Sequence, residues 1–311
     1  MVRSSSGLDS QNRQSQPAVT RTRCWVGILL VVGIPQSAPS LAEALPCPNG
    51  PVILVHGLEQ GPEIFATVID GLISRGIERR CVHAIRFSTG NLPIRFAAEH
   101  ELAPFVETIL ARMEQLRADP QQSPQAIKVN LVGHSMGALS TRWYATRVQP
   151  DKVRTWISTS GANHGTNWQC SQSPAGGHGE MCPAYARDAT QSAVQFALNG
   201  GPGPDFDETP HGYGKDSPGV ISAAATATRS ILYLTVQAAD DAFILPGTSL
   251  AIDGAGGVNL PALRRAGLRE ISPGNFLLTA TSGHDELLAS DVVIDLVFHA
   301  VTADRPVTRA D

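Results

Sequence analysis

Aromatic side chains are scarce in this sequence: Phe, Trp and Tyr make up 5% of its 311 residues. Proteins that bind nucleic acids rely on aromatic rings for stacking on bases and on clustered Lys and Arg for contacts with phosphates. This chain has no run of basic residues, and its net charge at pH 7 is −4. We therefore expect no nucleic-acid partner.

No apolar run long enough to span a bilayer stands out either. The apolar stretch Cys24–Ile34 is shorter than the roughly 20 residues that a membrane helix needs. It follows an Arg-containing polar segment and precedes small residues that end at Ala42, an order typical of a secretory signal. We predict a signal peptide over residues 1–42 and a secreted or periplasmic protein. An uncleaved membrane anchor is the alternative, because the leader before the apolar run is long.

Cysteines are few, and none of them forms a C-x-x-C pair, which argues against a zinc site. Of the five, Cys24 lies in the predicted signal, so four remain in the mature chain. An even number in an exported protein suggests two disulfides, for which three pairings exist. We favour Cys47–Cys81, since both would lie at strand starts on one side of a sheet, and Cys170–Cys182, which bracket a Gly-rich loop.

The chain is organised around Gly133-His134-Ser135-Met136-Gly137, which follows a buried apolar strand and precedes a helical pattern. This is the G-x-S-x-G nucleophile elbow, in which a sharp turn between strand and helix exposes the serine. The turn brings neighbouring backbone close, so the positions two before and two after the serine must be small. We predict that Ser135 is a nucleophile. A Gly-rich turn that matches by chance is the alternative.

Apolar runs alternate with amphipathic patterns along the chain, which predicts a mostly parallel sheet with helices on both faces, an α/β fold. Strands are expected over 51–55, 82–87, 153–160, 230–237 and 275–280, and the elbow strand and helix over about 127–147. Further helices are expected over about 64–73, 98–117, 184–199 and 286–302.

Residues 43–311 are predicted to form one domain with an insertion over about 161–228. The insertion is rich in Gly and Pro and lacks long apolar runs, so it is too poor in apolar residues to form a core of its own. Long loops of this kind are commonly lids or binding loops. A slack surface loop is the alternative.

A serine nucleophile needs a neutral imidazole to accept its proton, and in α/β-hydrolases the base comes last, in the order Ser, Asp or Glu, His. His284 directly follows the last predicted strand. His299 lies among apolar residues of the final helix, and His211 lies in the insertion, before any plausible acid. We predict that His284 is the base.

The acid that orients this base should follow the strand over 230–237, where both Asp240 and Asp241 stand. Asp241 is followed by Ile244 and Pro246, which resembles the pattern after the acid in these hydrolases. We prefer Asp241 and expect a structural role, such as capping the turn, for one of the two.

The tetrahedral intermediate of acyl transfer carries an oxyanion, which needs two preorganised N–H donors. The backbone amide of Met136, the residue after the nucleophile, should be one. The second should come from the loop after the first strand, where the Leu58 amide is the best candidate and Gly57 allows close approach. We expect His56 to bond this loop rather than to take part in the reaction.

Together, Val55-His56-Gly57, the elbow, Asp241 and His284 resemble the extracellular triacylglycerol lipases, class 2 type, of the α/β-hydrolase superfamily. Residues 161–165 are similar to a Pro-His-x-Gly turn of those lipases, with Asn163 in place of the Pro. The resemblance covers about residues 50–165 and 230–300, and the Cys47–Cys81 pairing also suits it.

The resemblance implies an α/β-hydrolase fold and serine ester hydrolysis without a cofactor, on an acylglycerol or a polyester substrate, with contact to a lipid–water interface as one option. An extracellular polyhydroxyalkanoate depolymerase with the same triad is the alternative, and a non-catalytic binding protein is a third. Asp285 and Asp291 could suggest the structural calcium of some bacterial lipases, but solvated carboxylates fit them better, so no metal is predicted. The oligomeric state stays open.

Overall fold

The computed structural model describes residues 47–117, 126–184, 192–199, 208–209, 212–213, 231–245, 249, 251–252, 255, 267–280 and 283–303. All of them belong to one compact unit, Leu41–Asp311. The predicted signal peptide over 1–42 lies outside the described residues, as do His211 and Pro246, so those predictions stay untested.

The nine strands of the described residues form a large sheet and a small one. In chain order they are β1 Val52–Val55, β2 Val82–Ala84, β3 Val129–His134, β4 Val153–Thr159, β5 Glu208–Thr209, β6 Gly212–Tyr213, β7 Leu232–Ala238, β8 Leu268–Ser272 and β9 Asn275–Leu278. The large sheet has seven strands in the order β2-β1-β3-β4-β7-β9-β8. Every neighbouring pair is parallel except β8 and β9. The small sheet is the antiparallel pair β5–β6.

Seven α-helices accompany the strands in the described part of the chain. They are α1 Ala66–Ser74, α2 Ile94–Phe96, α3 Ala103–Leu116, α4 Met136–Trp143, α5 Gly176–Met181, α6 Ala193–Asn199 and α7 Asp291–Thr302. A π-helix, Ala97–Leu102, joins α2 to α3, and another, Tyr144–Val148, extends α4. Within the described residues, none of the helices has the length and apolar character needed to cross a membrane.

Both faces of the sheet are covered, because successive side chains of a strand point to opposite faces. Ile53 of β1 lies in a buried cluster with residues of α3, such as Val106. Its neighbour Leu54 lies in a second cluster with residues of α1 and α7, such as Leu72 and Val297. The predicted α/β-hydrolase fold, with a mostly parallel sheet between two layers of helices, is confirmed.

Several predicted elements have different boundaries in the structure, and several elements of the structure were not predicted. The strand expected over 82–87 ends at Ala84, and the helix expected near 184–199 covers Ala193–Asn199 in the described residues. The helix expected over 286–302 is a 3-10 turn, Glu286–Ala289, followed by α7. Helix α5, strand β8 and the β5–β6 pair were not predicted.

The described part of the insertion is packed against the body of the protein. Met181 of α5 and Leu198 of α6 share a buried cluster with Met136 and Leu139 of α4. Arg142 of α4 is fully buried and donates to the Leu198 carbonyl at 3.0 Å and to the amide oxygen of Asn199 at 2.8 Å. The alternative interpretation, a slack surface loop, therefore does not hold for α5 and α6.

Candidate active site

Ser135 lies in the turn between β3 and α4, with a backbone φ of +55° and ψ of −124°. Positive φ is uncommon for a residue with a side chain and persists only where the surroundings enforce it. A Cβ atom at Gly137 would lie 2.3 Å from the Val55 carbonyl oxygen, and one at Gly133 would lie 2.5 Å from the Cα of Ala138. The tight packing of the turn therefore requires both glycines of the motif.

The serine directly precedes helix α4, so it stands at the end where unpaired backbone N–H groups create a partial positive charge. Met136 is the first residue of this helix, and its side chain is buried. A negative charge that develops beside Ser135 is favoured at this position.

Asp241 and His284 come together at the carboxyl ends of β7 and β9. The Nδ1 atom of His284 lies 2.8 Å from Oδ2 of Asp241. Oδ1 of Asp241 accepts hydrogen bonds from the backbone N–H groups of Phe243 and Ile244, both at 2.9 Å. These contacts fix the carboxylate and leave Nε2 of His284 as the ring nitrogen that can exchange a proton.

The carboxyl of Asp241 is only 3% exposed. This burial alone would raise its pKa, but the hydrogen bond and charge of His284, together with the two backbone N–H groups, bring the pKa below its usual value. Asp241 is therefore ionised at neutral pH and can stabilise a protonated His284.

Asp240 has a different contact. It is exposed, and its Oδ1 accepts a hydrogen bond from the backbone N–H of Gly283 at 3.0 Å. The two adjacent aspartates thus bind successive residues of one turn, Asp240 at the backbone and Asp241 at the imidazole of His284. The structure brings Asp241, and not Asp240, to the predicted base.

The imidazole of His284 packs between two other rings. Its centroid lies 4.9 Å from the ring of His134 and 5.2 Å from that of Phe243. The Phe243 ring in turn contacts Trp168, with centroids 5.2 Å apart. Phe243 is 42% exposed, so an aromatic surface reaches solvent beside the imidazole of His284.

The loop after β1 lies against the serine. A Cβ atom at Gly57 would be 2.7 Å from Cβ and 3.2 Å from Oγ of Ser135. The next residue, Leu58, packs against the same buried cluster as Met136. Of the two predicted oxyanion donors, Leu58 thus follows a glycine that lies against Ser135, and Met136 is the first residue of α4.

His56 holds this loop in place. The backbone N–H of Phe87 donates to its Nε2 at 3.3 Å, so Nδ1 must carry the proton that Gly57 O accepts at 3.0 Å. Burial lowers the pKa of His56, which favours this neutral form. These contacts fit the structural role predicted for His56.

The two carboxylates considered as calcium ligands have separate protein partners. Asp285 lies 2.9 Å from Nε2 of the buried His134, and Asp291 lies 3.2 Å from Nη2 of Arg75. Asp285 is thus bound to the elbow and is not merely a solvated carboxylate. The hydrogen bond from His134 is the main reason that the pKa of Asp285 falls to about 2.

Both predicted disulfides are present, Cys47–Cys81 and Cys170–Cys182, each with its Cα atoms 5.6 Å apart. The second bond spans α5. A Cβ atom at Gly177 in this helix would lie 2.4 Å from Sδ of Met136, so α5 packs directly on the residue after the serine.

Known proteins are similar in sequence to part of this chain. The palmitoyl protein thioesterase family matches residues 51–197. Triacylglycerol lipases of Pseudarthrobacter phenanthrenivorans and Burkholderia plantarii are each 35% identical to this chain over 114 residues, which are 37% of this chain. The matched stretch spans 33% and 29% of the length of those two lipases.

Among solved structures, lipase B of Aspergillus fumigatus is similar to this chain with a TM-score of 0.47 and 16% identity. The similarity covers 87% of this chain and 57% of that one.

One group of side chains near the elbow could hold a metal ion. His134, His284 and Asp285 each offer one ligand atom, and these atoms lie within 4.8 Å of one another. Two of the three residues, His134 and Asp285, already bind each other.

Two residues of this region, His134 and Gln60, have no motif that predicts their contacts. Nε2 of Gln60 donates to Oδ1 of Asp285 at 2.9 Å. The signal that the sequence offers for His134 is a polar residue at the end of a strand, and β3 is buried at every position. Asp285, which contacts both, lies 151 residues from His134 and 225 residues from Gln60 in the sequence, so only the fold brings them together.

Proposed function

We propose that this protein is a secreted serine hydrolase that cleaves carboxylic esters, as a triacylglycerol lipase or esterase, through an acyl-enzyme on Ser135. One observation carries the proposal. A serine in a strained strand-to-helix turn belongs to the same sheet edge as Asp241 and His284, which form a part-buried pair whose hydrogen bond measures 2.8 Å.

In the proposed reaction, Oγ of Ser135 attacks the ester carbonyl while Nε2 of His284 accepts the serine proton. Asp241 holds His284 in the tautomer with the proton on Nδ1 and stabilises the imidazolium. The backbone amides of Leu58 and Met136 donate to the oxyanion. The tetrahedral intermediate expels the alcohol, which takes the proton from His284. Water, activated by the same imidazole, then releases the carboxylic acid. These steps need no cofactor.

The substrate class is inferred from the sequence relatives. The two relatives above are named triacylglycerol lipases, which supports an acylglycerol. The match to the palmitoyl protein thioesterase family supports a second candidate, an acyl thioester, because the same acyl-enzyme can form from either. A polyester remains the alternative inferred from the sequence.

Export to the periplasm or the outside of the cell is part of the proposal. The two disulfides are consistent with an oxidising compartment, and residues 1–42 have the pattern of a secretory signal.

The test compares the wild-type protein with Ser135→Ala on p-nitrophenyl butyrate. Hydrolysis should fall by at least about 10³-fold, since residual catalysis would come from the oxyanion hole and binding alone. Ser74→Ala, an exposed serine of α1, is the matched control and should keep full activity. A fluorophosphonate probe should label the wild type and Ser74→Ala but not Ser135→Ala. Full activity of Ser135→Ala would refute the proposal, and failure of the probe to label wild type would favour a non-catalytic binding protein.

The same preparations separate the substrate classes. Clearing of a tributyrin emulsion supports a lipase, and clearing of amorphous polyhydroxybutyrate without activity on tributyrin supports a depolymerase. A higher kcat/KM for butyrylthiocholine than for its oxygen ester supports a thioesterase.

A further inference from the structure

Three of the turns that carry residues of the proposed reaction are linked to one another through sequence neighbours of those residues. Gly57 precedes Leu58, His134 precedes Ser135, and Asp285 follows His284. Gln60, from the loop that contains Gly57, completes the set. We call Gln60, His134 and Asp285 the bridging cluster.

The contacts of the bridging cluster converge on one oxygen atom. Oδ1 of Asp285 lies 2.9 Å from Nε2 of His134 and accepts a hydrogen bond from Nε2 of Gln60, also at 2.9 Å. Oε1 of Gln60 accepts the backbone N–H of Gly57 at 3.0 Å. A continuous chain of hydrogen bonds therefore runs from the loop after β1, through the turn after β9, to the elbow.

His134 is held firmly within this chain. Its ring is fully buried, and Nδ1 lies 3.0 Å from the carbonyl oxygen of Thr159. Burial lowers the pKa of His134, while the carboxylate of Asp285 acts in the opposite direction. Because its ring packs 4.9 Å from that of His284, the orientation of His134 also limits how the proposed base can move.

We propose that Asp285 is a positioning residue, which uses Gln60 and His134 to hold the turn of the base against the elbow and the oxyanion loop. This inference rests on the proposed function. Asp285 touches no reacting atom in the proposed reaction, so its contribution comes from the alignment of three separate loops. Loss of this alignment should lower the reaction rate, because a misplacement of about 1 Å can reduce the rate about 10²-fold.

Asp285 is suited to this role for two reasons. Its side chain is 55% exposed, so the carboxylate keeps access to water and avoids the full cost of a buried charge. It is also ionised well below neutral pH, because hydrogen bonding to His134 brings its pKa to about 2. A charged acceptor forms stronger hydrogen bonds than a neutral one.

The experiment measures kcat and KM for p-nitrophenyl butyrate in Asp285→Ala, Asp285→Asn, Gln60→Ala and the Gln60→Ala/Asp285→Ala double variant. Asp285→Ala should lower kcat about 10- to 100-fold with KM within about twofold of wild type. Asp285→Asn keeps an oxygen acceptor at Oδ1 and should recover most of the loss. Because Gln60 and Asp285 act through one network, the double variant should lose much less than the product of the two single losses.

Asp291→Ala is the matched control, since it removes an exposed aspartate and its ion pair with Arg75, the residue after α1. It should retain the wild-type kcat. The proposal is overturned if Asp285→Ala keeps kcat within about twofold, if Asp285→Asn recovers nothing, or if the losses of Gln60→Ala and Asp285→Ala simply multiply. If Asp285→Ala fails to fold, Gln60→Ala and Asp285→Asn decide the outcome. Activity in Ser135→Ala would overturn the proposed function itself, whereas an inactive Ser135→Ala with a normal Asp285→Ala overturns only this inference.

Discussion

Nδ1 of His284 lies 2.8 Å from Oδ2 of Asp241, although 43 residues separate the two in sequence. The adjacent Asp240 accepts a hydrogen bond from the backbone N–H of Gly283. Two neighbouring carboxylates therefore hold the same turn, one through its main chain and the other through the imidazole. This difference allows their contributions to be separated by isosteric substitution.

We expect Asp241→Asn to reduce kcat by about 10³- to 10⁴-fold, because an amide can hold His284 in the wrong tautomer and cannot stabilise the imidazolium. Asp240→Asn keeps an oxygen that can accept from Gly283, so its kcat should stay within about threefold of wild type. Steady-state kinetics on p-nitrophenyl butyrate measures both. Equal losses in the two variants would contradict the assignment of Asp241 as the acid.

The two disulfides should differ in their effects on stability and on activity. In the chain-entropy account, loss of Cys47–Cys81, with a separation of 34 residues, costs about 4 kcal/mol of unfolding free energy. Loss of Cys170–Cys182, with a separation of 12, costs about 3 kcal/mol. The loop closed by Cys170–Cys182 contains α5, which packs against Met136. Removal of this disulfide should therefore lower kcat more than removal of Cys47–Cys81.

Paired Cys→Ser variants test this expectation by denaturant unfolding and by kcat measured where both variants remain folded. A larger loss of kcat on removal of Cys47–Cys81 would show that α5 does not need its disulfide to support Met136.

The stability of the protein should decrease as the pH falls from about 7 to about 5.5. Burial lowers the pKa of His56 and of His83 in the folded state, while the unfolded chain takes up protons near pH 6.5. Below that pH the unfolded state binds more protons, so the contribution of the neutral histidines is lost as the pH falls. Urea unfolding at the two pH values measures the change, and His56→Asn should flatten it. An unchanged slope in the variant would show that His56 is not among the groups responsible.

The sequence predicts the central strands well, because strands buried on both faces are continuous apolar runs bounded by breakers. Strand β4 was expected over 153–160 and covers Val153–Thr159. The elbow was also predictable, since a steric requirement fixes glycine at 133 and 137. The positions of Asp241 and His284 followed from the chain order of a known constellation and from the ends of strands.

Other parts of the structure leave no local signal. Helix α5 contains three glycines, which disfavour helices, and it forms where Cys170–Cys182 and the contact with Met136 hold the segment. Strand β8 carries exposed residues at its centre and depends on pairing with β9. The bridging cluster joins residues up to 225 positions apart, and no short-range pattern encodes such pairs.

The burial of Arg142 places a condition on exchanging the insertion among related proteins. Its guanidinium donates to the Leu198 carbonyl and the Asn199 side chain, so part of the inserted segment supplies acceptors to a charge that belongs to the elbow helix. A chimera that replaced Ala193–Asn199 with a foreign sequence would leave the Arg142 guanidinium without two of its acceptors inside the protein, which is strongly destabilising. Grafts designed to change substrate preference should therefore retain Ala193–Asn199 and begin beyond it.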